Sequence, residues 1–184
     1  MDLLFWILIA VIVLIVIILI SYYNRFAVLQ NRIENSVGQI DVQLKKRADL
    51  VPNLLGSVKG YMKHEKDLFT EITKARQQFI KAGNIQEKIK AGDGMEKALK
   101  SVFAIAESYP NLRANENFLQ LQQELSAIED KVAYSRQYYN DSVLEYDNLF
   151  STFPGNMFAK LFGKQQQDYL KISEADKAVP KVSF

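Results

Sequence analysis

Residues 3–20 read LLFWILIAVIVLIVIILI, a run of eighteen apolar side chains without a charge, a glycine or a proline. At about 1.5 Å of rise per helical residue, the run spans roughly 27 Å, close to the hydrocarbon thickness of a bilayer. Two tyrosines follow at positions 22 and 23, and such amphipathic rings sit at headgroup depth. The run therefore predicts a transmembrane helix over residues 3–23. The residues expected to anchor it are Leu3, Phe5, Trp6, Ile20, Tyr22 and Tyr23.

Two other interpretations of the run are a cleaved signal peptide and a buried core helix. A signal peptide has a basic start, a shorter apolar stretch and a small-residue cleavage site, whereas this chain starts Met1-Asp2 and shows no such site after Ile20. A small bundle cannot cover a helix that is apolar on every side. We therefore expect a single-pass anchor in the cell membrane, preceded by the short flank 1–2.

Basic residues beside the run indicate its orientation. Arg25 and Arg32 lie within about twenty residues of its C-terminal end, whereas the N-terminal flank has no Lys or Arg. Because basic flanks are retained in the cytoplasm, we expect the N-terminus outside and the helical domain in the cytoplasm.

The composition limits the classes of function. The chain has no cysteine, which excludes disulfides, thiolate metal sites and thiolate nucleophiles. Its 23 basic and 21 acidic residues are mixed along the sequence, so we expect no nucleic-acid partner. Without the anchor roughly 160 residues remain, which suits one domain with a real core.

Apolar residues continue after the anchor at steps of three and four, from Phe26 through Phe79. That spacing predicts an amphipathic helix over residues 24–81. Pro52 lies inside it, and a proline in a helix interior costs about 3 kcal/mol unless the helix kinks. We therefore expect a kink or a short break at residues 48–52.

Two further helices are predicted. Three glycines, at 83, 92 and 94, favour a turn region over residues 81–94 with a short helical piece at 85–90. A helix is expected over 95–108, ended by Tyr109-Pro110-Asn111, and a long coiled-coil-like helix over 115–151. The heptad positions that predict the long helix are Phe118, Leu125, Val132, Tyr139, Tyr146 and Phe153.

The predicted fold class is all-α, with the transmembrane helix continuing into a long antiparallel up-and-down helical bundle of three to four helices over residues 24–154. The first helix would measure roughly 87 Å and the last roughly 55 Å. Either the first helix folds at Pro52 to give four helices, or it projects past the bundle as a stalk.

Residues 155–184 are predicted to form a C-terminal amphipathic segment and tail. The segment could cover the end of the bundle, contact lipid headgroups or dock on a neighbour, and covering the bundle is favoured. From Ser173 onward we expect disorder unless a groove holds the last side chain. The residues expected to make contacts are Met157, Phe158, Leu161, Phe162 and Phe184.

No pattern in the chain indicates an enzyme. His64 is the single histidine, so the second histidine of a helical zinc motif is missing, as are the paired Glu-x-x-His motifs of a di-metal bundle. Gly92-Asp93-Gly94 lacks the Lys-Ser/Thr of a phosphate loop. We therefore predict no catalytic residue, no metal site and no cofactor.

The order of residues 40–54, IDVQLKKRADLVPNL, resembles the signature of the LemA family. Nearly the whole chain takes part in the resemblance. Further matching segments are 58–61, 64–65, 75–76, 107–115, 118–125, 139–140 and 153–154, with Glu129, Arg136 and Val143. The resemblance implies a bacterial membrane protein with a short outside N-terminus, one span, a cytoplasmic LemA-like bundle and no established enzyme activity. The family is similar to a magnetosome protein involved in making organelle membrane, which implies a membrane-organising role.

The polar and turn residues of that signature have two interpretations. They lock the Pro52 region and the turn between the last two helices internally, or they form a lateral contact between subunits. Internal locking is favoured because buried polar networks fix a unique packing. These signature residues are Asp41, Gln43, Lys45, Arg47, Asp49, Pro52, Asn53, Tyr109, Pro110 and Asn115.

Three functions are compatible with these features. The leading hypothesis is a non-enzymatic scaffold that is anchored in the lipid bilayer, forms a homo-oligomer and organises or shapes the membrane. The alternative is an adaptor or sensor that recruits a protein partner of unknown identity. The third is an unrecognised hydrolase that uses His64 or the carboxylates.

Overall fold

The computed structural model describes residues 3–62 and 64–170, and every regular element in these ranges is a helix, as predicted. The helices are α1 (Leu3–Lys59), α2 (Lys66–Lys81), α3 (Ile85–Ala106), α4 (Pro110–Arg113), α5 (Glu116–Ser151) and α6 (Gly155–Leu161). Two compact units divide the chain. Residues 3–36 with 137–170 are here called the anchor unit, and residues 37–62 with 64–136 the bundle unit. The tail predicted from Ser173 onward, with Phe184, lies outside the described residues.

The bundle unit packs four helices in an up-and-down order. Its first helix is α1 from residue 37 onward, and its last is α5 as far as residue 136. Short connections reverse the chain between α1 and α2 and between α2 and α3. The core is apolar, and its fully covered residues include Ile40, Leu44, Val51, Leu54, Val58, Met62, Ile72, Met95, Ala98, Val102 and Leu112. Four long helices therefore form this unit, the upper number of the predicted range, and the one-turn helix α4 connects the last two of them.

The connection between α1 and α2 lies within residues 60–65. Of the kink or short break expected at residues 48–52, the break was wrong. Helix α1 continues through Pro52, which is exposed on its surface, to Lys59. Proline has no N–H to donate to the carbonyl four residues earlier, which here belongs to Ala48. The Arg76 side chain of α2 supplies the missing donor, with its Nε 2.8 Å from the Ala48 oxygen. A hydrogen bond from α2 thus satisfies the α1 carbonyl group that Pro52 leaves without a donor.

The turn region expected over residues 81–94 is limited to residues 82–84. Helix α3 begins at Ile85, where a short helical piece was expected, but it continues through Gly92 and Gly94 to Ala106, so the turn expected after residue 90 was wrong. Asn84 caps this helix by accepting a hydrogen bond from the Glu87 N–H at 2.9 Å, and the Glu87 carboxylate accepts one from the Gly83 N–H at 2.8 Å. Gly92 serves packing, since a Cβ on it would lie 2.7 Å from Leu44 Cδ2. The glycine that suggested a turn therefore permits a close approach of α1 to α3.

The long final helix agrees with the prediction. Helix α5 spans Glu116–Ser151, and Asn115 caps it by accepting a hydrogen bond from the Phe118 N–H at 3.0 Å. The first five heptad positions, from Phe118 to Tyr146, are buried. The sixth, Phe153, follows the helix end and is exposed, so its inclusion in the buried seam was wrong.

The anchor unit pairs α1 with the end of α5. Helix α1 is long and apolar enough to cross a membrane, and no residue of its apolar window is buried by residues 3–62 and 64–170. Just after that segment Phe26 is buried and packs edge to face on Tyr146, with ring centroids 5.6 Å apart. The segment after α6 returns along α5, where the Asn140 side chain accepts from the Leu170 N–H and donates to the Leu170 oxygen.

Candidate functional site

The structure separates the signature residues into an inward and an outward group. Arg47 is buried, and Asp41, Gln43, Tyr109 and Asn115 are half-buried. The side chains that point outward from α1 are Lys45, Asp49, Pro52 and Asn53, all exposed. The inward group contacts other helices, whereas the outward group is on the surface of α1.

Arg47 is the centre of the inward group. Its side chain is 1% exposed, although arginine is almost never fully buried without a partner. Its Nη1 donates to the Gly92 carbonyl at 3.3 Å and lies 3.5 Å from the Glu96 carboxylate. One guanidinium therefore joins the middle of α1 to the middle of α3. Burial, the largest effect, lowers the pKa of Arg47, and the charge of Glu96 opposes this.

A chain of charges extends this contact to α5. Lys100 lies 2.7 Å from Glu96 on its own helix and 3.2 Å from Glu129 of α5. Burial and then the charge of Glu96 raise the pKa of Glu129. For Glu96, burial acts upward, but hydrogen bonds to Lys100 and Glu129 and the charge of Arg47 bring its pKa below the usual value. The two carboxyl groups thus have opposite pKa displacements, which favours a proton on Glu129 before one on Glu96.

Other polar links connect the same helices. Arg136 of α5 pairs with Asp93 of α3, and Lys88 of α3 pairs with Asp41 of α1 at 2.7 Å. We name Arg47, Asp93, Glu96, Lys100, Glu129 and Arg136 the Arg47 network. All these groups take their partners from neighbouring helices of the bundle unit. The network therefore holds helix positions, and its charges are compensated inside the chain.

The signature residues in the turn after α3 form hydrogen bonds to the connection between α1 and α2. Tyr109 donates its hydroxyl to the Glu65 carboxylate at 3.3 Å, and Asn115 donates its side-chain amide to the Tyr61 hydroxyl at 3.3 Å. Pro110 is the first residue of α4, a position where the missing N–H has no helical partner to lose. These contacts join the α1–α2 connection to the α3–α5 connection.

The outward group forms a stripe on α1 that we call the outer face: Lys45, Asp49, Pro52 and Asn53. Steps of three and four place these residues on one side of the helix. Over residues 3–62 and 64–170, none of their side chains makes an ion pair or a hydrogen bond, although the Asn53 backbone carbonyl accepts one from the Ser57 hydroxyl at 3.1 Å. Lys45 and Asp49 have opposite charges and stand one helical turn apart. This polar stripe therefore lacks an internal role among the described residues.

The remaining predicted residues fall in the anchor unit. The anchor side chains Leu3, Phe5, Trp6 and Ile20 are exposed, and Tyr22 is half-buried against Phe158 with ring centroids 4.5 Å apart. Phe162 packs on Tyr23 at 5.4 Å.

The histidine and carboxylates do not assemble a metal site in the described part of the chain. His64 is exposed, and no group of three His, Asp or Glu side chains positioned to hold a metal ion occurs in residues 3–62 and 64–170.

The pairs of the Arg47 network are only partly visible in the sequence. Glu96 and Lys100 are an i, i+4 pair that the sequence displays openly. Glu129 and Arg136 belong to the family resemblance, but their partners Lys100 and Asp93 lie 29 and 43 residues away. Arg76, outside the network, also belongs to the resemblance, and its partner Ala48 is 28 residues away. Only the packing of the helices identifies those pairs.

Comparison with known proteins gives a consistent set of relatives. A family model described as the LemA family matches residues 36–184. Magnetosome protein MamQ of Magnetospirillum gryphiswaldense is 21% identical over 177 residues, an alignment that covers 82% of this chain and 65% of that protein. Magnetosome protein MamQ 2 of Paramagnetospirillum magneticum is 20% identical over 179 residues, which is 83% of this chain and 66% of the relative. Protein LemA of Metamycoplasma hominis is 27% identical over 136 residues, which is 71% of this chain and 60% of the relative. The chain thus spans less than two thirds of the length of these curated relatives.

Proposed function

The chain belongs to the LemA family, and on that premise we propose that it is a non-enzymatic membrane protein that self-associates laterally and thereby organises the membrane. Residues 3–23 hold it in the bilayer, and the bundle unit lies in the cytoplasm. The contact between copies is made by the outer face of α1. The observation that carries this proposal is the exposure of Lys45, Asp49, Pro52 and Asn53, which lack partners among the described residues.

The charges of the outer face suit a symmetric contact. Where two copies in one bilayer meet about a two-fold axis along the membrane normal, their α1 helices run parallel. Lys45 of each copy then lies one helical turn from Asp49 of the other, within reach of the long lysine side chain, so two ion pairs form at once. Each exposed pair contributes only up to about 1 kcal/mol. Anchoring confines the copies to two dimensions, which raises their effective concentration and makes such a weak contact sufficient.

The relatives and the basic flank supply further support. Two of the relatives are named magnetosome proteins, which associates this kind of chain with an organelle. Arg25 and Arg32 after the apolar segment favour a cytoplasmic bundle. The Arg47 network supports a non-enzymatic role, because its groups are engaged with each other.

Charge reversal on the outer face tests the contact. We expect Lys45→Glu, and separately Asp49→Lys, to raise the dissociation constant of the full-length protein in detergent about tenfold, since two attractions become repulsions. The double variant Lys45→Glu/Asp49→Lys restores both pairs in reversed sense and returns the affinity to that of the natural chain. Mass photometry over a dilution series measures the affinity.

The matched control is an exposed pair on α2, Glu71 and Lys74. We expect reversal of the charge of either residue to leave the dissociation constant unchanged, because neither residue belongs to the outer face. A natural chain that is monomeric over the whole dilution series, or single reversals without effect, would contradict the proposed contact.

The orientation has a separate test that uses the absence of cysteine. Ile80 of α2 is exposed in the bundle unit, so Ile80→Cys gives one accessible thiol. We expect a membrane-impermeant maleimide to label it only after the cells are lysed. Labelling in intact cells would place the bundle unit outside the cytoplasm and overturn this part of the proposal.

A further inference from the structure

Helix α6 packs against α1 just after the apolar segment of α1 ends. Phe158 stacks on Tyr22 with ring centroids 4.5 Å apart, and Phe162 contacts Tyr23 at 5.4 Å and Phe26 at 6.5 Å. Tyr22 follows Ile20 by two residues, or about 3 Å along the helix axis. The position of α6 is therefore at the level where the hydrocarbon of a bilayer meets its headgroups.

The packing of α6 leaves one of its faces open. Gly155 and Ala159 are buried, and a Cβ on Gly155 would overlap the Leu149 carbonyl oxygen, so the start of α6 lies directly on the end of α5. The exposed fractions of Phe153, Met157 and Leu161 are 79%, 61% and 66%. Met157 and Leu161 stand four residues apart on one face of α6, and Phe153 lies in the turn just before the helix. We call these three exposed side chains the apolar stripe.

The sequence that carries the apolar stripe is basic. Residues 148–167 contain two lysines, 160 and 164, and no acidic residue. Lys160 is exposed one position before Leu161. Arg25 lines a shallow pocket with Tyr22 and Phe153, in which Glu145 is the one acidic residue. Exposed apolar side chains beside basic ones are the composition of helices that lie in a membrane interface.

We propose that α6 is a membrane-surface element whose apolar stripe enters the interface of the same bilayer that α1 crosses. Phe153, Met157 and Leu161 enter the boundary between headgroups and acyl chains, about 5–10 Å deep in such helices. Lys160 meets the lipid phosphates. The occupant is lipid because the attachment to Tyr22 and Tyr23 makes the stripe continuous with the membrane-spanning surface. This second contact goes beyond self-association and depends on neither the outer face nor the orientation.

Single-cysteine labelling of the full chain tests this contact. Met157→Cys and Leu161→Cys carry an environment-sensitive fluorophore, and each protein is placed in nanodiscs of anionic phospholipid that hold one copy. Ile12→Cys in the apolar segment is the membrane reference, and Ile80→Cys on α2 is the water reference, since all four side chains are exposed. We expect the labels at 157 and 161 to emit at shorter wavelength than the label at 80. Lipids with a nitroxide near the headgroup should quench them, and the label at 80 should keep its intensity.

Two results would overturn the proposal. Labels at 157 and 161 that match the water reference in wavelength and quenching would show that the stripe faces solvent. Labels that shift only in discs holding several copies, without quenching by the nitroxide lipids, would assign the stripe to a second copy of the chain. Because the discs hold single copies, failure of the outer-face contact does not affect this measurement.

Discussion

Replacement of Arg47 by alanine is expected to lower the free energy of unfolding by about 3–5 kcal/mol. The substitution removes the guanidinium that joins α1 to α3 and leaves the Gly92 carbonyl without that donor. It also takes away the positive charge that compensates Glu96, which then lies beside Glu129 with Lys100 as the remaining cation. The aliphatic stem of a residue that is 1% exposed leaves a cavity in addition.

Chemical denaturation of the full chain in detergent, followed by far-UV circular dichroism, measures this loss. The control is Lys46→Ala, one residue earlier on the exposed side of the same helix, where a change of about 0.5 kcal/mol or less is expected. The double variant Arg47→Ala/Glu96→Gln should lose less than the two single losses added together, because its second change removes the uncompensated charge. A loss for Arg47→Ala as small as that of the control would show that the network does not stabilise the bundle unit.

The second large effect is expected at Arg76, whose contribution should depend on Pro52. In the natural chain Arg76→Met removes a charged donor from the buried Ala48 carbonyl and should cost about 1.5–3 kcal/mol. In a Pro52→Ala background the N–H of the new alanine can donate to the same carbonyl within α1. There we expect Arg76→Met to cost about 1 kcal/mol or less, because a neutral bond already satisfies the oxygen.

A double-mutant cycle of the four proteins, measured by the same unfolding assay, gives the coupling energy between Pro52 and Arg76. Arg113→Met is the control, because Arg113 is exposed and makes no ion pair or side-chain hydrogen bond among the described residues. Its cost should be small in both backgrounds. Equal costs of Arg76→Met with and without the proline would mean that the arginine does not compensate for it.

These two arginines change the interpretation of the signature around residues 40–54. Internal locking and contact between subunits are two interpretations of its polar residues. Arg47 and Asp41 have partners inside the bundle unit, whereas the side chains of Lys45 and Asp49 are exposed. Arg47 lies on the side of α1 opposite Lys45 and Asp49, and Asp41 lies on their side but is bound by Lys88 of α3. One short signature can therefore serve both purposes. The variants proposed for each side report on different quantities, stability for the inward group and association for the outward group.

The helical character of the chain and the position of its long apolar segment follow from the local sequence. The apolar run over residues 3–20 and the steps of three and four after it are local properties, since a helix presents every third or fourth side chain on one face. The last long helix was predicted to within one residue at its start, because Asn115 caps it through its near neighbour Phe118. The positions of glycine and proline predicted the helix ends less well. Pro52 and Gly92 suggested breaks, and both lie within helices.

Tertiary structure decided how those two residues are tolerated and which polar side chains are internal. Arg76 reaches Ala48 from 28 positions away, and Leu44 of α1 occupies the space that a side chain on Gly92 would need. The helical period gives the spacing of polar residues along one helix. It does not identify the helix or other partner that packs against them. Hydrogen bonds and charges between distant segments arise only when the helices pack, so Arg47 and Lys45 are two residues apart in sequence and opposite in their surroundings.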